Sequence, residues 1–416
     1  MDFPWSIWAT MEKLRIFESS VIVCVLKGFE DWSRSCRVLN YTEMENAILA
    51  LDQGVSKAVH CRSTLRSAIC IKRFLDNIDD SNSGNLALAL FSDLARAISK
   101  TVFPHDTQIS GRSITELHAG AGLKMLIEND EAFASGYLAG SCALAQAFSK
   151  GRSISTASYY SQKYLELVAT NFRPQLEERL KHLFQLIEVD ISMAAQVQSP
   201  DLVFSMRELT LGGALPGEPR YQPYDLDLAL KHAGGDWSFW REWYQGFLDG
   251  KPMDWELQRR VAMIPDEDWE KGPEHIARMI EEIRARFKLE KRLEALETEK
   301  LLWEAQGRHG LGGNNPPEQI NDAAIQEFIL EPIEVLKAET QEGVPDRSRV
   351  QAAITKLTAI LVAGGKWTGG KLDMAVDECV KSMGKVAGPA LLGWIGLNSD
   401  KFIEIVKLAK DWLAVW

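Results

Sequence analysis

Residues 273–306 read PEHIARMIEEIRARFKLEKRLEALETEKLLWEAQ. Ile276, Ile280, Ile283 and Phe287 recur every three or four positions, the interval that lines one face of an α-helix. After Phe287 the apolar seam slips to Leu289 and continues through Leu293, Leu296 and Trp303. From Glu281 to Glu304, 13 of 24 residues are charged, which suits the solvated sides of a long helix. Pro273 fits a first helical position, where its missing N–H costs nothing. The pattern predicts one helix from Pro273 to about Gln306. It reads as a hairpin arm or a short coiled coil that pairs with a second copy, with Leu293 and Leu296 as candidate contact residues.

Upstream lies an aromatic cluster. Trp237, Trp240, Trp243, Trp255 and Trp269 fall within 33 residues of a chain holding 13 Trp. Trp237, Trp240, Tyr244, Phe247 and Leu248 follow helical spacing on one face. Two readings stay open. Large rings fill the core of a small helical module, each removing roughly 150–250 Å² from water; alternatively Trp237, Trp240, Trp243 and Tyr244 form a binding surface, since Trp and Tyr dominate interface hot spots. The core reading is the more economical.

Two Pro/Gly-rich stretches divide the chain. Thr210 to Pro223 carries three Gly and three Pro, and Gly307 to Pro317 ends in Asn314-Asn315-Pro316-Pro317. The expected organisation is a helical bundle over 1–208, a linker at 209–224 and a Trp-rich module with the long helix over 225–306. A second linker at 307–319 then precedes a helical bundle over 320–416. Elsewhere helical patterns prevail. Capping-box pairs occur at Thr42/Glu45 and Ser113/Glu116, Ser83-Gly84-Asn85 opens another helix, and Pro174 breaks a further pattern. Val21–Leu26 is the best strand candidate, but it lies within a longer helical pattern from Met11. Gly111-Arg112-Ser113-Ile114-Thr115 echoes as Gly151-Arg152-Ser153-Ile154-Ser155, two copies where a solenoid needs at least three. The fold class expected is all-α, as multi-domain helical bundles.

The run Trp237-Ser238-Phe239-Trp240-Arg241-Glu242-Trp243-Tyr244-Gln245-Gly246-Phe247-Leu248-Asp249-Gly250, together with the Asn314–Pro317 break, resembles uncharacterised proteins of proteobacteria. The resemblance covers residues 235–416. It implies a bacterial, cytosolic origin and carries no chemistry with it.

Composition narrows the function. The 416 residues carry a formal charge of −11, and none of the segments 1–208, 225–306 and 307–416 is net basic, which argues against a nucleic-acid partner. The six cysteines are scattered with no CxxC pair, as expected for reduced thiols of a cytoplasmic protein. The first residues lack a signal-peptide pattern. Residues 132–149 are uncharged and contain Gly136-xxx-Gly140, but their small and polar side chains favour a packed soluble helix over a membrane span. Residues 386–398 are also uncharged, too short to cross a bilayer, and suited at most to lying on one.

No sequence motif assigns a catalytic residue, a cofactor or a metal site. Gly365-Lys366-Trp367-Thr368-Gly369-Gly370-Lys371-Leu372 matches the spacing of a phosphate-binding loop, but Leu372 stands where Ser or Thr holds the magnesium. The seven histidines form no HExxH pair, and His60 and Cys61 are adjacent, so on a helix they point about 100° apart. The reading that remains is a helical interaction or regulatory protein with a protein partner or self-association. The alternatives are a membrane-active effector that exposes an uncharged helix, and an enzyme whose site is assembled from distant residues.

Overall fold

The computed structural model describes residues 46–48, 50–67, 81–110, 188–205, 223–309, 326–363, 374–383 and 389–416. Among them the chain is all-α, with no strand. Outside them lie Val21–Leu26, the capping boxes at Thr42 and Ser113, residues 132–149, Pro174, the Gly111/Gly151 echo, Gly365–Leu372 and most of both linkers.

In chain order the helices are α1 (Gln53–Ser67), α2 (Ser81–Val102), α3 (Pro200–Ser205), α4 (Pro223–His232), α5 (Ser238–Leu248), α6 (Trp255–Ala262), α7 (Asp266–Trp269) and α8 (Pro273–His309). They continue as α9 (Glu331–Gln341), α10 (Arg347–Ala363), α11 (Met374–Met383) and α12 (Pro389–Val415). A 3₁₀ turn at Gly235–Trp237 leads into α5, and a π turn at Gln326–Leu330 leads into α9. Short acidic side chains start several helices. Asp52, Asp254 and Asp346 accept from the backbone N–H groups of Gly54, Glu256 and Ser348 at 2.9, 2.9 and 2.8 Å, satisfying donors with no partner inside the helix. At Gly272 the chain takes φ 92° and turns into Pro273, which starts α8.

The long helix is the spine. It runs to His309, three residues past the predicted end, and it contributes to two separate hydrophobic cores. Ile276 and Ile280 are buried in the first, with Met279 and Ile283 packed at its edge. Leu289 and Leu293 are buried in the second, with Ala285 and Leu296 at its edge. The slip read from the sequence explains this. At about 100° per residue, the step from Phe287 to Leu289 turns the apolar seam by about 200°, so the two cores grip nearly opposite faces of one helix.

The first core gathers α1 to α7 around α8, and it draws residues from both sides of the 209–224 stretch. Its centre is aromatic. Phe91 of α2 stacks on Trp240 at 5.0 Å and 17°, while Trp243 meets it edge-on at 6.2 Å and Trp237 sits 6.1 Å away. Trp243 and Phe247 pack edge to face at 5.0 Å, and Phe204 of α3 meets Phe247 at 5.7 Å. Such offset and edge-on pairs place positive ring edges against negative faces. Two of the buried indole N–H groups have named acceptors: Trp243 donates to Gln258 Oε1 at 2.8 Å and Trp269 to the Ile264 carbonyl at 3.0 Å. The second core is mainly aliphatic, with Phe328, Phe402 and Trp412 among its members, and is formed by the π turn and α9 to α12 on the far face of α8. Trp412 of α12 closes it on α8 by donating to Glu282 Oε1 at 2.7 Å.

After α5 the chain folds back so tightly that Lys251 N–H donates to the Gly246 carbonyl at 2.7 Å. A Cβ at Gly246 would lie 2.8 Å from the Lys251 carbonyl oxygen. Replacing a helical Gly by Ala normally gains about 1 kcal/mol, but here the methyl group meets backbone that cannot swing aside, a cost of about 1–3 kcal/mol. Gly246→Ala is therefore expected to lower the thermal midpoint, and a raised midpoint in calorimetry would contradict the close approach.

Candidate functional site

The six residues singled out from the sequence are placed unambiguously. Trp237, Trp240, Trp243 and Tyr244 are each at most 1 % exposed, in the first core. The three indoles already pack against Phe91, Phe239, Phe247 and Trp269 of the same chain, and the Tyr244 hydroxyl donates to the Leu65 carbonyl at 3.4 Å. Leu293 is 1 % exposed in the second core, and Leu296 packs at its edge. A partner docking on these side chains would have to displace the chain's own core. Pairing of two copies through Leu293 and Leu296 would compete with α9 to α12 for the same face of α8.

Buried charge is spent on tying distant segments together. Arg62 of α1, fully buried, pairs with Asp190 at 3.3 Å and donates to the Val203 and Phe204 carbonyls, both at 3.3 Å. A cation there complements the negative end of α3. Arg96 of α2 pairs with Asp266 at 2.8 Å, donates to the Ile264 carbonyl at 3.0 Å, and lies 5.7 Å over the Trp269 ring. Cys61 faces the Thr101 hydroxyl at 3.8 Å, and burial pushes its thiol up to about 12. It therefore stays protonated and unreactive at neutral pH. No group of three or more His, Cys, Asp or Glu suited to a metal occurs among the described residues.

Among the described residues, a groove beside the end of α2 combines shape with chemistry. It encloses about 600 Å³, opens to solvent, and is lined by Val102, Phe103, Pro104, His105, Asp106, Thr107, Gln108 and Arg259. The chain leaves α2 at Val102 and is fastened to α6 across the groove. The Arg259 guanidinium donates to Asp106 and to Gln108 Oε1, at 3.3 Å for the latter. The same cation lies 6.0 Å over the Phe103 ring. Lys100 holds the Asp106 carbonyl from below, and Ser110 donates to Asp266 Oδ2 at 3.2 Å. Apolar Val102, Phe103 and Pro104 thus stand beside a polar rim carrying both signs of charge. No sequence motif marks this site, because Arg259 stands 153 positions from Asp106. The only local signal was the pairing of Glu256 with Arg259 and Arg260 at helical spacing.

Burial pushes the Asp106 carboxyl up, but the Gln108 backbone N–H, the Arg259 guanidinium and the Lys100 ammonium together outweigh it and hold it below the usual carboxylate range. A carboxyl held low in the folded state stabilises the protein fully above its unfolded value of about 3.9. That contribution is lost as pH falls through the lower folded value. Asp106→Asn is expected to cost about 1–2 kcal/mol at pH 7, discounted for the part-exposed Arg259. The difference from the unsubstituted protein should shrink towards pH 2. Urea denaturation at both pH values checks this, and a difference that grows on acidification would contradict it.

Compared with known proteins, the chain matches no protein-family model, no curated protein and no solved structure.

Proposed function

We propose that the protein is a helical interaction and regulatory module, and that the groove along residues 102–108 receives a segment of a partner protein. The groove carries this reading. Exposed connecting segments held on a rigid scaffold are where binding residues concentrate, and residues 103–110 are fastened to α6 and α7 by Arg259 and Asp266. Aromatic and arginine side chains are both enriched at protein interfaces, and the groove presents Phe103 beneath Arg259. The lining mixes an apolar floor with one acidic and one basic side chain, which matches a polypeptide with its amides and mixed side chains. A nucleic-acid strand would meet a chain of net charge −11. No helix among the described residues is long and apolar enough to cross a membrane. On the basis of the resemblance of residues 235–416 to proteobacterial proteins, we look for the partner in a bacterial cytoplasm.

Capture from the cytoplasm with the full chain as bait, in parallel with a Phe103→Ala bait, tests the reading. The expected result is a discrete protein, or a second copy of this chain, retained in near-stoichiometric amount by the unsubstituted bait and reduced at least tenfold by Phe103→Ala. Equal retention by both baits, with their thermal midpoints matching, would overturn the groove as the contact surface.

A further inference from the structure

The polar side chain of the groove does not end at Arg259. That guanidinium also donates from Nη1 to both oxygens of Glu256, at 3.0 and 3.3 Å. Glu256 Oε1 accepts in turn from Arg260 Nε at 3.1 Å. Arg260 reaches across from α6 to α8 and donates to Glu290 Oε2. The other oxygen of Glu290 accepts from Gln341 Nε2 at 2.7 Å, at the last residue of α9. The sequence of contacts is Asp106, Arg259, Glu256, Arg260, Glu290, Gln341. It starts at the groove and ends at the exposed last residue of α9, a helix whose other face packs in the second core, and its charged members alternate in sign.

From these contacts we infer that the six side chains form a relay through which occupation of the groove alters the end of α9 and the turn after it. This rests on the groove being a docking surface, and it names how that surface regulates the rest of the chain.

Three features support the direction of coupling. First, Glu256 Oε1 is shared by two arginines, so a change in the hold of Arg259 changes what Arg260 receives. A partner that pairs with Asp106 breaks the first link and leaves Arg259 to draw harder on Glu256, whereas one that takes Arg259 leaves Glu256 to Arg260 alone. Second, Glu290 is nearly buried, its side chain 9 % exposed, so its charge depends on the partners it has. Those facing it are Arg260 from α6, Lys291 from α8 and Gln341 from α9. Between the two cores Phe287 lies under Arg260 at 5.2 Å and Lys291 at 5.3 Å, so the junction itself is made of cations on a ring. Third, the far end of the relay is a helix terminus, where the chain turns towards α10 through a small set of side-chain to backbone bonds. Arg286 donates to the Thr340 carbonyl at 2.8 Å and to the Glu342 carbonyl, and Glu339 accepts from the Asp346 N–H at 2.6 Å. Helix ends open more readily than helix centres, so a lost bond at Gln341 is read out there.

A relay differs from a row of independent braces in one measurable way: distant substitutions fail to add. The test uses the full chain without any partner, so its outcome is separate from whether the groove docks a protein. Amide hydrogen exchange is followed in the unsubstituted protein, in Asp106→Asn, and in Glu256→Gln, which cuts the middle link. Asp106→Asn is expected to speed exchange at least threefold at residues 341–346, while Asp106→Asn added to Glu256→Gln should change that region no further. Acceleration confined to residues 102–110 and 255–260 would overturn the relay. So would additive effects of Asp106→Asn and Glu290→Gln on the unfolding constant, within a factor of two.

Discussion

A helix with two apolar faces almost opposite each other cannot bury both against a single partner layer. α8 meets that constraint by entering two cores, one along Ile276 and Ile280 and the other along Leu289 and Leu293. Each fully buried aliphatic side chain contributes roughly 1.5–3 kcal/mol of transfer free energy, so each core gains substantially from the same rod. The rest of the architecture follows. Helices from the first half of the chain, among them α1, α2 and α3, collect on one face. The helices after residue 326 collect on the other, and the segment near Phe287 between them is clad in charge.

The aromatic cluster shows how the first core is specified. Four indoles in a small volume carry four N–H donors as well as ring area, and a misplaced one would bury an unsatisfied donor at a cost of about 1–3 kcal/mol. Gln258 resolves this for Trp243, accepting its N–H while donating to the Met253 carbonyl at 2.7 Å. Arg96 and Asp266 then fix the turn bearing Trp269 against α2. The buried ion pairs add register more than stability, because desolvating both charges offsets most of their attraction.

Much of this fold was legible in the sequence and some of it was not, for identifiable reasons. Helical periodicity located α8 and the buried stripe on α5, since an amphipathic repeat depends only on neighbours three and four apart. The slip after Phe287 was equally visible, yet its meaning was not. A two-residue step looks the same whether a coiled-coil seam is interrupted or the apolar face changes sides. Phe91 as the hub under Trp240 lies 149 positions away, and no local pattern announces such a partner. The same holds for Arg62 with Asp190. The groove was the least legible of all, because nothing in residues 103–108 points to a partner 153 positions from Asp106. Only the fold brings Arg259 over Phe103.

The central claim is that α8 is one uninterrupted helix held on opposite faces by two cores. Residue-resolved hydrogen exchange of its amides tests this most directly, with residues 281–288 between the two grips as the deciding stretch. Protection that continues through these residues at a level comparable to residues 276–280 and 289–293 is the expected result. A fast-exchanging break at 281–288, flanked by two protected blocks, would contradict the shared spine and leave two independent cores joined by a hinge.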